Sequence, residues 1–243
     1  MDYVAPTTLD EAFRALDAED ARCLAGGQSL VAMMNLGLVS PSRLVSLRKI
    51  PGLRGVSKQK DGSLRIGAMT THDEIASLDA KLLLAQVARV VAYPAIRAWG
   101  TIGGSVAHAD PAADYPVALV AADAAIEVQS QRGSRRIAAR EFFRGLFETA
   151  LGEGEIVTAI QVPAQKGRAA YEKLSLVAGD FAIASVAVVG SQIAVGACTP
   201  APIRLARPED AAKIEPMGDQ RASAAYRRKV LPELVRRAVQ RCS

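Results

Sequence analysis

Aromatic residues are scarce: Phe, Trp and Tyr make up 5% of the 243 residues, with a single tryptophan. That scarcity argues against a base-stacking platform, and no nucleic-acid partner is expected. There are two histidines, His72 and His108, and three cysteines, Cys23, Cys198 and Cys242, far apart and without a CxxC pair. The chain therefore lacks a zinc or iron–sulfur ligand set of its own. Scattered cysteines in odd number, with no signal peptide, fit a reducing, cytoplasmic setting.

The longest uncharged run, residues 181–203, has the length to cross a bilayer. Its interior argues otherwise. Gly190-Ser191-Gln192 separates two β-rich runs, 182–189 and 193–198, and Thr199-Pro200-Ala201-Pro202 follows. A buried hairpin is expected there, not a membrane span.

What is present suits a folded protein with an ample core, in one domain or two to three small ones: half the residues are hydrophobic and 23% charged. The net charge of +5 sits in one place. Residues 202–243 hold ten Lys/Arg against five Asp/Glu, whereas residues 1–201 balance at 20 and 20. A basic tail of this kind reads as a solvated helix face or a contact with an acidic partner subunit.

Two capping-box patterns, Thr8 with Glu11 and Thr71 with Glu74, open helices. Residues 22–25 read as a strand that runs into Gly26-Gly27-Gln28-Ser29, with Ser29 as N-cap of a helix over 30–36. A helix is expected over 81–91, stopped by Pro94. Residues 116–122 fit helix or strand equally, because periodicity does not arbitrate a wholly apolar run. Strands are expected over 125–130 and 155–162, and a basic helix over 222–240 that Pro232 kinks or divides.

Two glycine-rich stretches carry the chemistry: Ala25-Gly26-Gly27-Gln28-Ser29-Leu30 and Gly100-Thr101-Ile102-Gly103-Gly104-Ser105. Without a Cβ, consecutive peptides can approach an anion and turn N–H groups toward it, and a following helix start adds partial positive charge. Neither stretch is a Walker A, since no Lys follows the glycines, and neither is GxGxxG. Each alone reads rather as a tight turn. Two of them suit a diphosphate held from both sides.

Together with Ala107-His108-Ala109-Asp110-Pro111-Ala112-Ala113-Asp114, these stretches resemble the FAD-binding (medium) subunit of molybdenum hydroxylases, the xanthine dehydrogenase and carbon monoxide dehydrogenase type. Phe142-Phe143-Arg144-Gly145, Gly154-Glu155-Ile156-Val157, Gly179-Asp180-Phe181-Ala182 and Arg221 to Arg227 extend the likeness over nearly the whole chain, in order. The resemblance implies an α+β fold: a two-subdomain PCMH-type FAD-binding fold, residues 1–55 and 56–165, followed by a small α+β C-terminal domain of the carbon monoxide dehydrogenase flavoprotein type, residues 166–243. It implies FAD as cofactor. Molybdopterin and [2Fe–2S] would lie on partner subunits, a large and a small one, in a dimer of heterotrimers. Electrons would leave for an external acceptor.

The resemblance also assigns cofactor contacts. Cys23, Leu24, Ala25, Gly26, Gly27, Gln28, Ser29 and Leu30, with Thr101, Ile102, Gly103, Gly104 and Ser105, would meet the diphosphate through backbone and hydroxyl groups. An aspartate at position 103 is thus expected to expel FAD by placing a carboxylate against it. Asp114 would accept from cofactor hydroxyls, with a helix N-cap as its other reading. Ile156 or Val157 would lie against the cofactor. Lys173 would stand near the flavin, where a cation favours an anionic reduced ring, and Phe181 would shield a ring face. Surface and core roles are the alternatives for these four. Many relatives carry Asn-Arg at Ala98-Trp99, so polar contacts there are in doubt. His108 is not expected to act as a base, and no catalytic residue is assigned. Two other functions stay open: a non-catalytic scaffold that kept the fold, which photoreduction would expose, and a self-contained flavin oxidase, which would turn over substrate alone.

Overall fold

The computed structural model describes residues 1–242. Its first sheet is built from β1 (Asp2–Val4), α1 (Leu9–Leu16), β2 (Ala21–Leu24), α2 (Leu30–Asn35) and β3 (Arg43–Ser46). The strand order is β1-β3-β2, all parallel, because a helix follows each of the first two strands and returns the chain to the same end. Both hydrogen bonds of the Thr8–Glu11 capping box form, and α1 then buries Ala12 and Phe13 against Val45 and Leu47. Ser29 differs from expectation: it occupies the N-cap position of α2, but its backbone is already helical and its hydroxyl makes no cap bond.

The second sheet runs β4-β5-β10-β6-β7 and is antiparallel throughout. Its members are β4 (Val56–Lys58), β5 (Leu64–Gly67), β6 (Ala125–Ser130), β7 (Gly133–Ala138) and β10 (Ile156–Val162). Between β5 and β6 come α3 (His72–Ala76), α4 (Leu83–Val90), α5 (Pro94–Arg97), α6 (Ile102–His108) and α7 (Asp114–Ala121). After β7, α8 (Ala139–Phe142) leads into a small hairpin, β8 (Phe143–Gly145) with β9 (Glu148–Thr149). Strand β10 carries a bulge between Val157 and Ala159, next to Ile156, which packs in the same apolar cluster as Val45 and Leu47. Bulges of this kind re-aim the neighbouring side chains.

Residues 116–121 prove helical, with Ala122 as the C-cap. Every residue of α7 is buried, because the helix lies against a third sheet and is flanked by α4, α6 and α8. A helix covered on all sides has no polar face, so its sequence shows no period. The third sheet is the antiparallel meander β11 (Ala169–Leu174), β12 (Ala184–Val189), β13 (Gln192–Gly196) and β14 (Ile203–Leu205). Strands β12 and β13 are the buried hairpin the uncharged run predicts. No helix among the described residues is long and apolar enough to cross a membrane.

The C-terminal helix α9 spans Ala224–Cys242 unbroken, with Pro232 inside it. The carbonyl that Pro232 leaves without its helical donor belongs to Arg228, which is exposed, so water can satisfy it. The basic tail is largely neutralised within the chain. Arg236 and Arg237 share Glu233, Arg241 pairs with Glu172 and Arg228 with Glu215, while Arg227 is fully buried beside Asp219.

Candidate functional site

The two glycine-rich stretches meet. A Cβ on Gly26 would lie 2.2 Å from the Trp99 carbonyl oxygen and 2.7 Å from the Gly100 Cα, and a Cβ on Gly104 would come within 3.4 Å of the Ala25 methyl. Such contact is open only to a residue without a side chain. Beside the junction opens a cleft of about 440 Å³.

The first stretch leaves β2 through Gly27, whose φ of +77° suits glycine. The backbone N–H groups of Gly26, Gly27, Gln28 and Ser29 donate to no group among the described residues. Consecutive uncommitted amides of this sort form an anion nest. Cys23, Ala25, Gly26, Gly27, Gln28, Ser29 and Leu30 all line the cleft; Leu24 does not.

The second stretch does not present the free amides expected of it. Thr101 caps α6, its Oγ1 accepting the Gly104 N–H at 3.2 Å, so both glycines sit inside the first helical turn. Ile102, Gly103 and Ser105 donate their N–H groups to the carbonyls of Thr70, Ala68 and Thr101. What this stretch offers the cleft is therefore the Ser105 hydroxyl and a close-packed wall of Thr101, Gly103 and Gly104. Ile102 turns into the core. The Gly103 Cβ direction also corrects an expectation: it points at Ala68, 2.5 Å from that methyl carbon, not at a ligand.

Opposite lie Ile156 and Val157, nearly buried, brought to the cleft by the β10 bulge. Several lining residues were not legible as such in the sequence, among them Arg22, Met69, His72, Leu151 and Glu155. Arg22 is exposed and makes no ion pair among the described residues, so it presents an uncommitted cation. Glu155 does not oppose an anion. Arg135 grips it at 2.7 Å through two nitrogens, and that bond, with the Gly152 N–H, holds its carboxyl below the usual range. Burial pushes the Cys23 thiol up to about 12, so it faces the cleft uncharged. His72 accepts or donates at Tyr115 Oη over 3.2 Å, and burial first, then Arg97, lowers it to about 4. His108 lines the cleft with its ring 5.2 Å from that of Phe147. Among the described residues no group of His, Cys, Asp or Glu is placed to hold a metal ion.

Asp114, Lys173 and Phe181 stand outside this lining. Asp114, the first residue of α7, is buried. It accepts from Tyr171 Oη at 2.6 Å and from Lys173 Nζ at 3.0 Å, and Lys173 also donates to the Val90 carbonyl at 3.3 Å. Burial raises the Asp114 carboxyl, while Lys173 and Tyr171 draw it back. Phe181 is about half exposed, with the Arg221 guanidinium 5.2 Å from its ring centre.

A cradle of uncommitted amides, hydroxyls and one free arginine, walled by apolar side chains, suits an anionic cofactor with a flat apolar portion. Comparison with known proteins points the same way. Residues 1–165 match the family described as the FAD-binding domain in molybdopterin dehydrogenase. The glyceraldehyde dehydrogenase medium chain of Sulfolobus acidocaldarius is 35% identical over 97% of this chain and 96% of that protein. The carbon monoxide dehydrogenase medium chain of Afipia carboxidovorans is 36% identical over 99% and 96%. A solved carbon monoxide dehydrogenase from Hydrogenophaga pseudoflava, lacking the Mo-pyranopterin moiety of its cofactor, superposes with a TM-score of 0.92 at 33% identity, covering all of this chain and 96% of that one.

Proposed function

The chain belongs to the FAD-binding medium subunits of the molybdenum hydroxylase family, and from that membership we propose that it relays electrons from a [2Fe–2S] partner subunit to an external acceptor. Substrate oxidation would take place on a large molybdenum-cofactor subunit, in a dimer of heterotrimers. Bound FAD supplies a centre that takes up electrons singly or in pairs.

The residues present fit the cofactor. The amides of Gly26 to Ser29 would hold its diphosphate, helped by Arg22 and the Ser105 hydroxyl. Leu24, Thr101, Ile102, Gly103 and Gly104 hold that surface in shape by packing. Ile156 and Val157 exclude water from the opposite wall. We assign the Asp114–Lys173 pair and Phe181 to the flavin end: the pair offers an acceptor and a donor already desolvated, so either binds without first losing its water. Nothing in the chain is required to move a proton. A cytoplasmic location follows the same reading.

The observation that carries it is the contact of the two glycine stretches beside a cleft with a run of uncommitted amides. The test is absorbance at about 450 nm, where oxidised flavin absorbs. Purified chain, or chain reconstituted with FAD, is expected to hold one flavin each, and co-expression with the neighbouring large and small subunits to give a complex that reduces it. A chain that neither carries nor takes up FAD overturns the reading.

A further inference from the structure

We propose that a recess adjoining the cleft is a second ligand site, for a small sugar-sized molecule bearing an oxyanion, phosphate or carboxylate. The recess measures about 260 Å³ and shares Ala25, Met69 and Thr101 with the cleft. Arg48 and Arg54 line it, with Thr71 and Trp99.

Its charge is unspent. Arg48 has no carboxylate partner among the described residues; its guanidinium lies 4.4 Å from the centre of the Trp99 ring. Arg54 gives only its Nε to Glu74, at 3.0 and 3.1 Å, and keeps its terminal nitrogens. Glu74 offsets one of the two positive charges, which leaves a net cation and two donor forks of the shape that matches an oxyanion. The Thr101 hydroxyl accepts from Gly104 and has its own proton to give.

The remaining lining is apolar. Trp99, the sole tryptophan, is 51% exposed and joins Met69 and Ala98. Arginine stacked on an exposed indole is the composition of binding hot spots. At about 30 Å³ per water, the recess holds on the order of eight to nine water volumes. An oxyanion group takes two or three of these, and a carbon skeleton of sugar size fills the rest. Nothing about FAD is needed for this site, and it stands or falls apart from the function proposed above.

Trp99 is its own reporter. Titrating the full chain with ribose 5-phosphate or ribonate is expected to change tryptophan emission saturably, with or without saturating FAD, and the tighter of the two identifies the head group. Ribose alone should leave emission unchanged. Arg48→Ala and Arg54→Ala should each weaken binding tenfold or more, while circular dichroism and flavin content match the parent. An unresponsive parent, an equal response to ribose, unaltered affinity in both variants, or competition between FAD and these anions would each overturn the proposal.

Discussion

Gly26 rests on the main chain of Trp99 so closely that a methyl group in its place would sit 2.2 Å from the Trp99 carbonyl oxygen. The obstacle is backbone, which has no rotamer to escape into. Gly26→Ala must therefore push the two stretches apart, an overpacking cost of about 1–3 kcal/mol, and it opens the cleft at its junction. We expect a lower urea midpoint and at least a tenfold loss of FAD affinity. Gly152→Ala is the control: the added methyl meets only the Glu155 side chain, at an ordinary contact distance of 3.4 Å, and both quantities should hold.

A carboxylate placed in the cleft separates ligand repulsion from packing. Ser105 lines the cleft and is half-buried, so Ser105→Asp should fold with its midpoint within about 1 kcal/mol of the parent yet bind FAD tenfold or more weakly. Gly103→Asp is a different experiment. Its side chain drives into Ala68, so it should lose stability first and flavin only in consequence. Denaturation curves with flavin titrations tell the two apart; equal loss of stability in both would contradict the assigned directions.

Local signals were legible and long-range ones were not. The capping boxes of α1 and α3 form as written because Thr and Glu three residues apart need only each other. The β12–β13 hairpin follows from a Gly-containing turn between apolar runs. Ser29, by contrast, has the right type for a cap but the wrong backbone angles. The direction of the Gly103 Cα is set by Ala68, 35 positions earlier, and no motif records it. Tyr171 joins Asp114 across 57 positions, and no local pattern marks a strand tyrosine as its partner. Likewise His72, Met69 and Leu151 reach the cleft through tertiary packing alone.

The pair of Asp114 and Lys173 ties α7 to β11 with both side chains under a tenth exposed. Removing one partner strands the other charge in a low-dielectric site, so Lys173→Met should cost about 3–5 kcal/mol near neutral pH. Adding Asp114→Asn should recover most of it, since Tyr171 keeps an acceptor. Burial already raises the Asp114 carboxyl, and without Lys173 nothing but Tyr171 opposes that. The single variant's folded state then holds a proton that its unfolded state has lost, and its deficit shrinks as pH falls. Urea unfolding at two pH values reads both effects. A double variant no more stable than the single one would remove the pair from the energetics of this seam.

His72 sets a pH dependence of opposite sign. Its backbone N–H donates to the Gly100 carbonyl at 3.0 Å, and a Cβ on Gly100 would lie 2.7 Å from the ring Nε2, so the imidazole braces the start of the second stretch. Burial and Arg97 hold it near 4, against about 6.5 in an unfolded chain. Between those values the unfolded chain takes up a proton that the folded one refuses. Stability is therefore intact above pH 6.5 and is lost as pH falls toward 4, by on the order of 3 kcal/mol. His72→Gln removes the titrating group and should flatten that part of the profile, whatever its own cost at pH 7. Unfolding free energies at pH 7, 5.5 and 4 for both proteins make the comparison, and parallel curves would show that the acid sensitivity arises elsewhere.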